Sequence, residues 1–302
     1  MTEHQRVKLL KHIRPIHLLT TITLYLLGAG FARYLGQRID QLVFLVGLSW
    51  LVFLQLGFYF LGDHFRTPFD PGLLNRLPFD SKDLANEGSQ PGELLLYISL
   101  SCFAATGVIT IIMGLQGVIS ISIIVLMGLI FAGFFLLTVP GISLDQSGLG
   151  EIITSITLVI LSPAIAFILQ YEIFHRLLVI GIIPLFPLHL AMILFLRLGG
   201  YREDIKRNRK SILVRMGWKQ GLFLHNLMIL CGFLLFGISL IFGSPIRLVG
   251  FVFLALPAAL YLIWSLSQLE DGAPVRWPVF ILLSLVVFFL PVYFLTFSSW
   301  IR

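Results

Sequence analysis

The sequence predicts an all-α polytopic membrane protein, a bundle of about nine transmembrane helices around a central cavity, and three observations carry that expectation. Of the 302 residues, 58% are hydrophobic and only 12% are charged, about half the charge of an ordinary soluble domain. Apolar runs of roughly 20 residues, enough for a helix to cross ~30 Å of hydrocarbon, recur from end to end. Lysine and arginine fall mostly on one side of the alternating connections. A water-soluble protein is excluded. The length of the runs also argues against a membrane barrel, whose strands need only ~10 residues.

The expected spans are 15 to 36, 41 to 62, 94 to 115, 117 to 138, 151 to 171, 173 to 198, 221 to 243, 247 to 267 and 277 to 299, forming one domain over 1 to 302. The lead MTEHQRVKLLKHIRP is basic, but no small-residue cleavage site follows the first run, so that run reads as a retained helix. Cys102 and Cys231 lie in separate spans, without metal or redox spacing. The net charge of +6 describes orientation rather than nucleic-acid binding: the side holding the N-terminus carries 16 of the 21 Lys and Arg. That asymmetry places the N-terminus in the cytoplasm and the C-terminus opposite, in a bacterial-type cytoplasmic membrane. Trp218, Trp264, Trp277 and Trp300 fall near span ends, where interfacial aromatics anchor helices.

Most connections are short, which suits antiparallel neighbours. Two are long and polar, 63 to 93 and 199 to 220, each following the second span of its half. This spacing and the hydropathy pattern hint at a twofold internal repeat.

The first long connection opens Gly62-Asp63-His64-Phe65-Arg66-Thr67-Pro68-Phe69-Asp70, just beyond span 2. On a continuing helix Gln55, Asp63, Arg66 and Asp70 would share a face, although Pro68 and Pro71 oppose continuation; a solvated turn is the plainer reading. The second opens Arg197-Leu198-Gly199-Gly200-Tyr201-Arg202-Glu203-Asp204 and runs on through Arg209-Lys210 to Gly217. Taken alone it reads as topogenic positive charge, or as attraction for anionic headgroups. Taken together, acids and bases at the mouth of an apolar bundle suit a magnesium diphosphate: carboxylate and phosphate oxygens bind Mg²⁺, while Arg or Lys neutralises the remaining charge. A polyprenyl diphosphate matches both the polar mouth and the apolar interior.

At these residues the sequence resembles the UbiA-type intramembrane prenyltransferase superfamily, nearest the branch making menaquinone-like quinones. The family places Asn-Asp-x-x-Asp-x-x-x-Asp after its second helix and Asp-x-x-x-Asp after its sixth. Lys210-Ser211-Ile212-Leu213-Val214-Arg215-Met216-Gly217 resembles the family's Lys-Arg-Thr-Leu-Ala-Val-Arg-Leu-Gly stretch. Pro140, Leu144 and Gly148-Leu149-Gly150-Glu151 resemble a third landmark. The resemblance implies prenyl transfer from a polyprenyl diphosphate to a lipophilic acceptor, with Mg²⁺ as cofactor. It implies Asp63, Asp70 and Asp204 as metal ligands and Arg66, Arg76, Arg209 and Lys210 as diphosphate partners, with Gln55, Glu203 and Arg197 behind them.

The motifs are degenerate. Arg66 stands where the family has an acid, Gly62 replaces Asn, Gly200 replaces the first Asp of the second motif, and Asp145-Gln146-Ser147 replaces the usual basic residues before the third landmark. Fewer magnesium ions are therefore expected, with Arg66 supplying positive charge in place of a ligand. Two other readings stand beside this one: a non-catalytic relative that binds prenyl lipid or acts as a scaffold, and a small-solute transporter with Pro163, Pro184 and Pro187 interrupting spans 5 and 6. Among polar residues at membrane depth, Arg197 reads as a snorkelling, orienting arginine. His189 and His225 read as partners in an interhelical hydrogen bond.

Overall fold

The computed structural model describes residues 14–65, 92–142, 144, 148–206, 211–270 and 277–301, and no strand occurs among them. Among the described residues nine helices are long and apolar enough to cross a membrane: Pro15–Tyr34, Gln41–Phe65, Glu93–Leu115, Ile121–Thr138, Gly150–Tyr171, Arg176–Leu198, Trp218–Ile241, Ile246–Gln268 and Trp277–Trp300. They are spans 1 to 9. Each overlaps its expected run, and the differences at the ends have local causes. Gly117 at φ 69° and the Ser120 side chain, which accepts from Ile123 N at 3.4 Å, delay span 4 to Ile121, as a Ser cap does. Glu172 at φ 65° ends span 5. His175 Nδ1 then accepts from Leu177 N at 3.1 Å and starts span 6 at Arg176. Asp40 caps span 2, accepting from Leu42 N at 2.9 Å and Val43 N at 3.1 Å. Span 2 continues to Phe65, so Asp63 sits in its last turn and not in a loop beyond it.

Spans 5 and 6 are irregular where their prolines fall. Span 5 widens into a π-helix over Ile156–Leu161, just before Pro163; a proline cannot donate to the helical ladder, and an inserted residue is one way to absorb it. Ser162 helps by donating its hydroxyl to Thr157 O at 3.1 Å. Span 6 runs Arg176–Ile182, is interrupted at Pro184 and resumes at Leu185–Leu198.

The expected polar connection 199 to 220 is mostly folded. It contains two short helices, Tyr201–Lys206 and Ile212–Met216. Ser211 caps the second by accepting from Val214 N at 3.4 Å. Leu213 is buried against Gly221 of span 7, and Tyr201 packs its ring on Trp218 with centroids 5.7 Å apart. Apolar residues inside a charged stretch thus tie it to the bundle.

Spans 1, 5, 6 and 9 form the interior. A Cβ on Gly28 of span 1 would overlap the carbonyl of Pro163 in span 5, so these two backbones meet with only hydrogen between them, as small residues allow in membranes. Trp300 of span 9 donates its indole N–H to Leu26 O at 3.0 Å, with Arg33 above its ring at 5.3 Å. Of the expected tryptophan anchors, Trp218, Trp277 and Trp300 pack on other helices, whereas Trp264 is exposed as an interfacial anchor would be. In its most apolar stretch span 6 is 78% buried and span 3 only 17%. Outer helices such as span 3 leave their apolar faces to lipid.

Candidate functional site

Alternation of direction brings the starts of odd-numbered spans and the ends of even-numbered spans to one end of the bundle, where two ion pairs form. In the first, Arg14 Nη2 lies 3.3 Å from Asp63 Oδ1. Arg14 immediately precedes span 1 with φ 48°, a left-handed conformation that side chains disfavour. Its guanidinium also sits 4.7 Å from the centroid of the Tyr59 ring, within cation–π range. One turn below Asp63, the Tyr59 hydroxyl accepts from Gln55 Nε2 at 2.7 Å. The ring of His17 meets Tyr59 edge-on at 6.1 Å. Gln55 is wholly buried, and its Oε1 takes no hydrogen bond among the described residues. Gln55 and Asp63 therefore both turn inward from span 2, as their spacing leads one to expect.

In the second pair, Arg197 Nε at the end of span 6 lies 3.2 Å from Glu151 Oε1 at the start of span 5. The side chain of Glu151 is fully buried and that of Arg197 is 12% exposed, which overturns the expectation of an arginine snorkelling outward. A buried carboxylate is costly unless paired, and Arg197 is its partner. One turn further in, Ser155 Oγ lies 3.0 Å from His189 Nδ1. His189 has the expected interhelical hydrogen bond, but with Ser155 of span 5 and not with His225, whose Nδ1 lies 3.0 Å from Asn226 Oδ1 on its own helix. Phe195 of span 6 covers the His225 ring at 5.6 Å.

Asp204 lies in the short helix Tyr201–Lys206 and is 2% exposed; its backbone N–H donates to Gly200 O at 3.0 Å. Glu203 shares that helix, its side chain lying outside the described residues. Asp70, Arg66, Arg76, Arg209 and Lys210 also lie outside them. Two of the expected metal ligands, Asp63 and Asp204, are thus buried carboxylates. Among the described residues no group of three His, Cys, Asp or Glu side chains is placed to hold an ion.

The structure adds residues that the sequence did not single out. Arg14 was hidden in a basic lead that reads as topogenic. Tyr59 and Ser155 look like ordinary span residues, although Tyr59 stands four residues from both Gln55 and Asp63, the spacing of one helix face. Glu151 had a signal in the Gly-Leu-Gly-Glu landmark, but an acid opening an apolar run needs a partner, and nothing local names it.

No family model matches the chain and no curated protein matches its sequence. Solved structures do share its fold. One is a UbiA homolog from Archaeoglobus fulgidus bound to GPP and Mg²⁺, with TM-score 0.65 and 14% identity over 96% of this chain and 98% of that one. Another is a UbiA homolog from the same organism bound to DMAPP and Mg²⁺, with the same score and identity over 95% and 98%. At that identity the likeness is one of fold, and over nearly its whole length this chain has the helical-bundle fold of these UbiA homologs.

Proposed function

We propose that this protein is an intramembrane prenyltransferase of the UbiA type, which moves an isoprenoid chain from a polyprenyl diphosphate to a lipophilic aromatic or lipid acceptor. The observation that carries the reading is the burial of Asp63 and Asp204 at one end of a bundle whose fold is shared with a protein solved with GPP and Mg²⁺. Asp63 and Asp204, with Asp70, would hold Mg²⁺. When bound, the metal offsets the charge of the diphosphate as it leaves. Arg66, Arg76, Arg209 and Lys210 supply further positive charge to the diphosphate, while Glu203, Gln55 and Arg197 support the site from behind. The apolar interior receives the isoprenoid tail. The menaquinone-like branch, the cytoplasmic position of the N-terminus and the reduced number of ions belong to the same proposal.

The test is binding of geranyl diphosphate to purified protein in Mg²⁺, together with Mg²⁺-dependent release of diphosphate. An Asp63→Ala, Asp204→Ala double variant is expected to bind about 100-fold more weakly, on the scale of ~1.4 kcal/mol per tenfold. Equal binding by the variant and the wild type overturns the assignment of these acids.

A second reading, a prenyl-lipid-binding relative without catalysis, is favoured by Arg14, which already occupies one oxygen of Asp63. Tight binding of geranyl diphosphate without any release of diphosphate would select it.

A further inference from the structure

One turn below the Glu151–Arg197 pair, Ser155 and His189 form a second polar layer. Ser155 fixes its chemistry. The Ser155 hydroxyl donates to the carbonyl of Glu151 at 2.9 Å, so its one proton is spent. With that proton directed to the Glu151 carbonyl, Ser155 Oγ acts as acceptor toward His189 Nδ1, 3.0 Å away, an arrangement that puts hydrogen on the ring nitrogen facing it. The neutral ring therefore keeps its lone pair on Nε2.

The surroundings of this ring come from three helices. Span 5 contributes Ser155 and, one turn above, the Glu151–Arg197 pair. Span 9 contributes Phe288, 4.9 Å from the ring centroid. Span 1 contributes His17, near enough to interact electrostatically with His189, and His17 in turn meets Tyr59, which holds Gln55 of span 2. The π-helix of span 5 begins at the residue after Ser155; such bulges re-aim side chains and are frequent at functional sites. A lone pair buried beside Ser155 and Phe288 fits a ligand that gives up a proton.

Resting on the prenyltransferase reading above, we propose that His189 is the catalytic base that receives the acceptor's proton through Nε2, with Ser155 as the positioning residue that sets its tautomer. In the step, the prenyl C1–O bond breaks and its electron pair leaves with the diphosphate. The acceptor's electron pair forms the new bond to C1, and the proton the acceptor then sheds passes to His189 Nε2. The ring becomes imidazolium, still donating Nδ1–H to Ser155. The species that loses the proton is a cation, a far stronger acid than imidazolium, so a histidine shut away from water is base enough.

The experiment uses membranes from cells expressing the full chain, whose own lipids supply the acceptor, with radiolabelled geranyl diphosphate and Mg²⁺. His189→Gln is expected to lower kcat for label entering lipid product by about 100-fold, the lower end for general base catalysis, with KM for geranyl diphosphate within about twofold. Ser155→Ala, which frees the tautomer and keeps the ring, is expected to fall between. Imidazole added to His189→Gly is expected to restore part of the rate. Unchanged transfer by His189→Gln overturns the inference and leaves the prenyltransferase reading intact. A parallel rise in KM, with no rescue of His189→Gly, reduces His189 to a structural residue and also overturns it. If the wild type binds no geranyl diphosphate, or binds it and transfers nothing, the prenyltransferase reading fails first and the inference with it.

Discussion

The two ion pairs at the polar end of the bundle join the same kinds of group and differ in their surroundings. Glu151–Arg197 ties span 5 to span 6 with the carboxylate fully buried and the guanidinium 12% exposed. Arg14–Asp63 ties the start of span 1 to the end of span 2 with an arginine 26% exposed. The first cannot be opened without stranding a charge in a dry interior, whereas the second has one partner within reach of water. Burial thus separates them: one pair joins two helices away from water, and the other has its arginine at the edge of the bundle.

Three substitutions break or sharpen this contrast. Glu151→Ala has the largest expected effect, because it leaves Arg197 buried without its carboxylate; loss of one partner of a buried pair costs about 3–5 kcal/mol, read as a lower thermal midpoint in detergent. Gly28→Val comes next. Gly28 sets the distance between span 1, which follows Arg14, and span 5, which carries Glu151, and a side chain there meets the backbone of Pro163. Overpacking of this kind costs about 1–3 kcal/mol, and the same melting measurement checks it. Arg14→Ala is expected to be mildest, at about 1 kcal/mol, because the arginine of this pair is itself partly exposed although Asp63 is buried, and smaller still at high salt. A loss at Arg14 equal to that at Glu151 would remove the distinction. The proposed acids add a fourth test, the weakened geranyl diphosphate binding of the Asp63→Ala, Asp204→Ala double variant, and His189→Gln a fifth.

Much of the bundle was legible beforehand because a span is a local property: the runs at 41 and 277 begin in the structure at Gln41 and Trp277. Boundaries moved where one residue decided them, as at Ser120 and His175, whose caps depend on side-chain placement. The connection after span 6 was misread as a polar loop because its charges outnumber Leu213 and Tyr201, the residues that dock it. Asp63 stood out as an acid at the end of an apolar run, and Asp204 through the resemblance of the second motif. Their neighbours Arg14, Tyr59 and Glu151 did not, since each gains meaning only from a residue on another turn or another helix.

By itself the sequence determined that the chain lives in a membrane and where its apolar spans lie, because hydrophobic length acts residue by residue against lipid and water. Only the tertiary structure decided that Arg197 turns inward to Glu151, that His189 takes Ser155 rather than His225 as its partner, and that Asp63 lies under Arg14. Each of those choices brings a polar or charged group to a partner on, or at the start of, another helix, and that partner is chosen by which helices pack together.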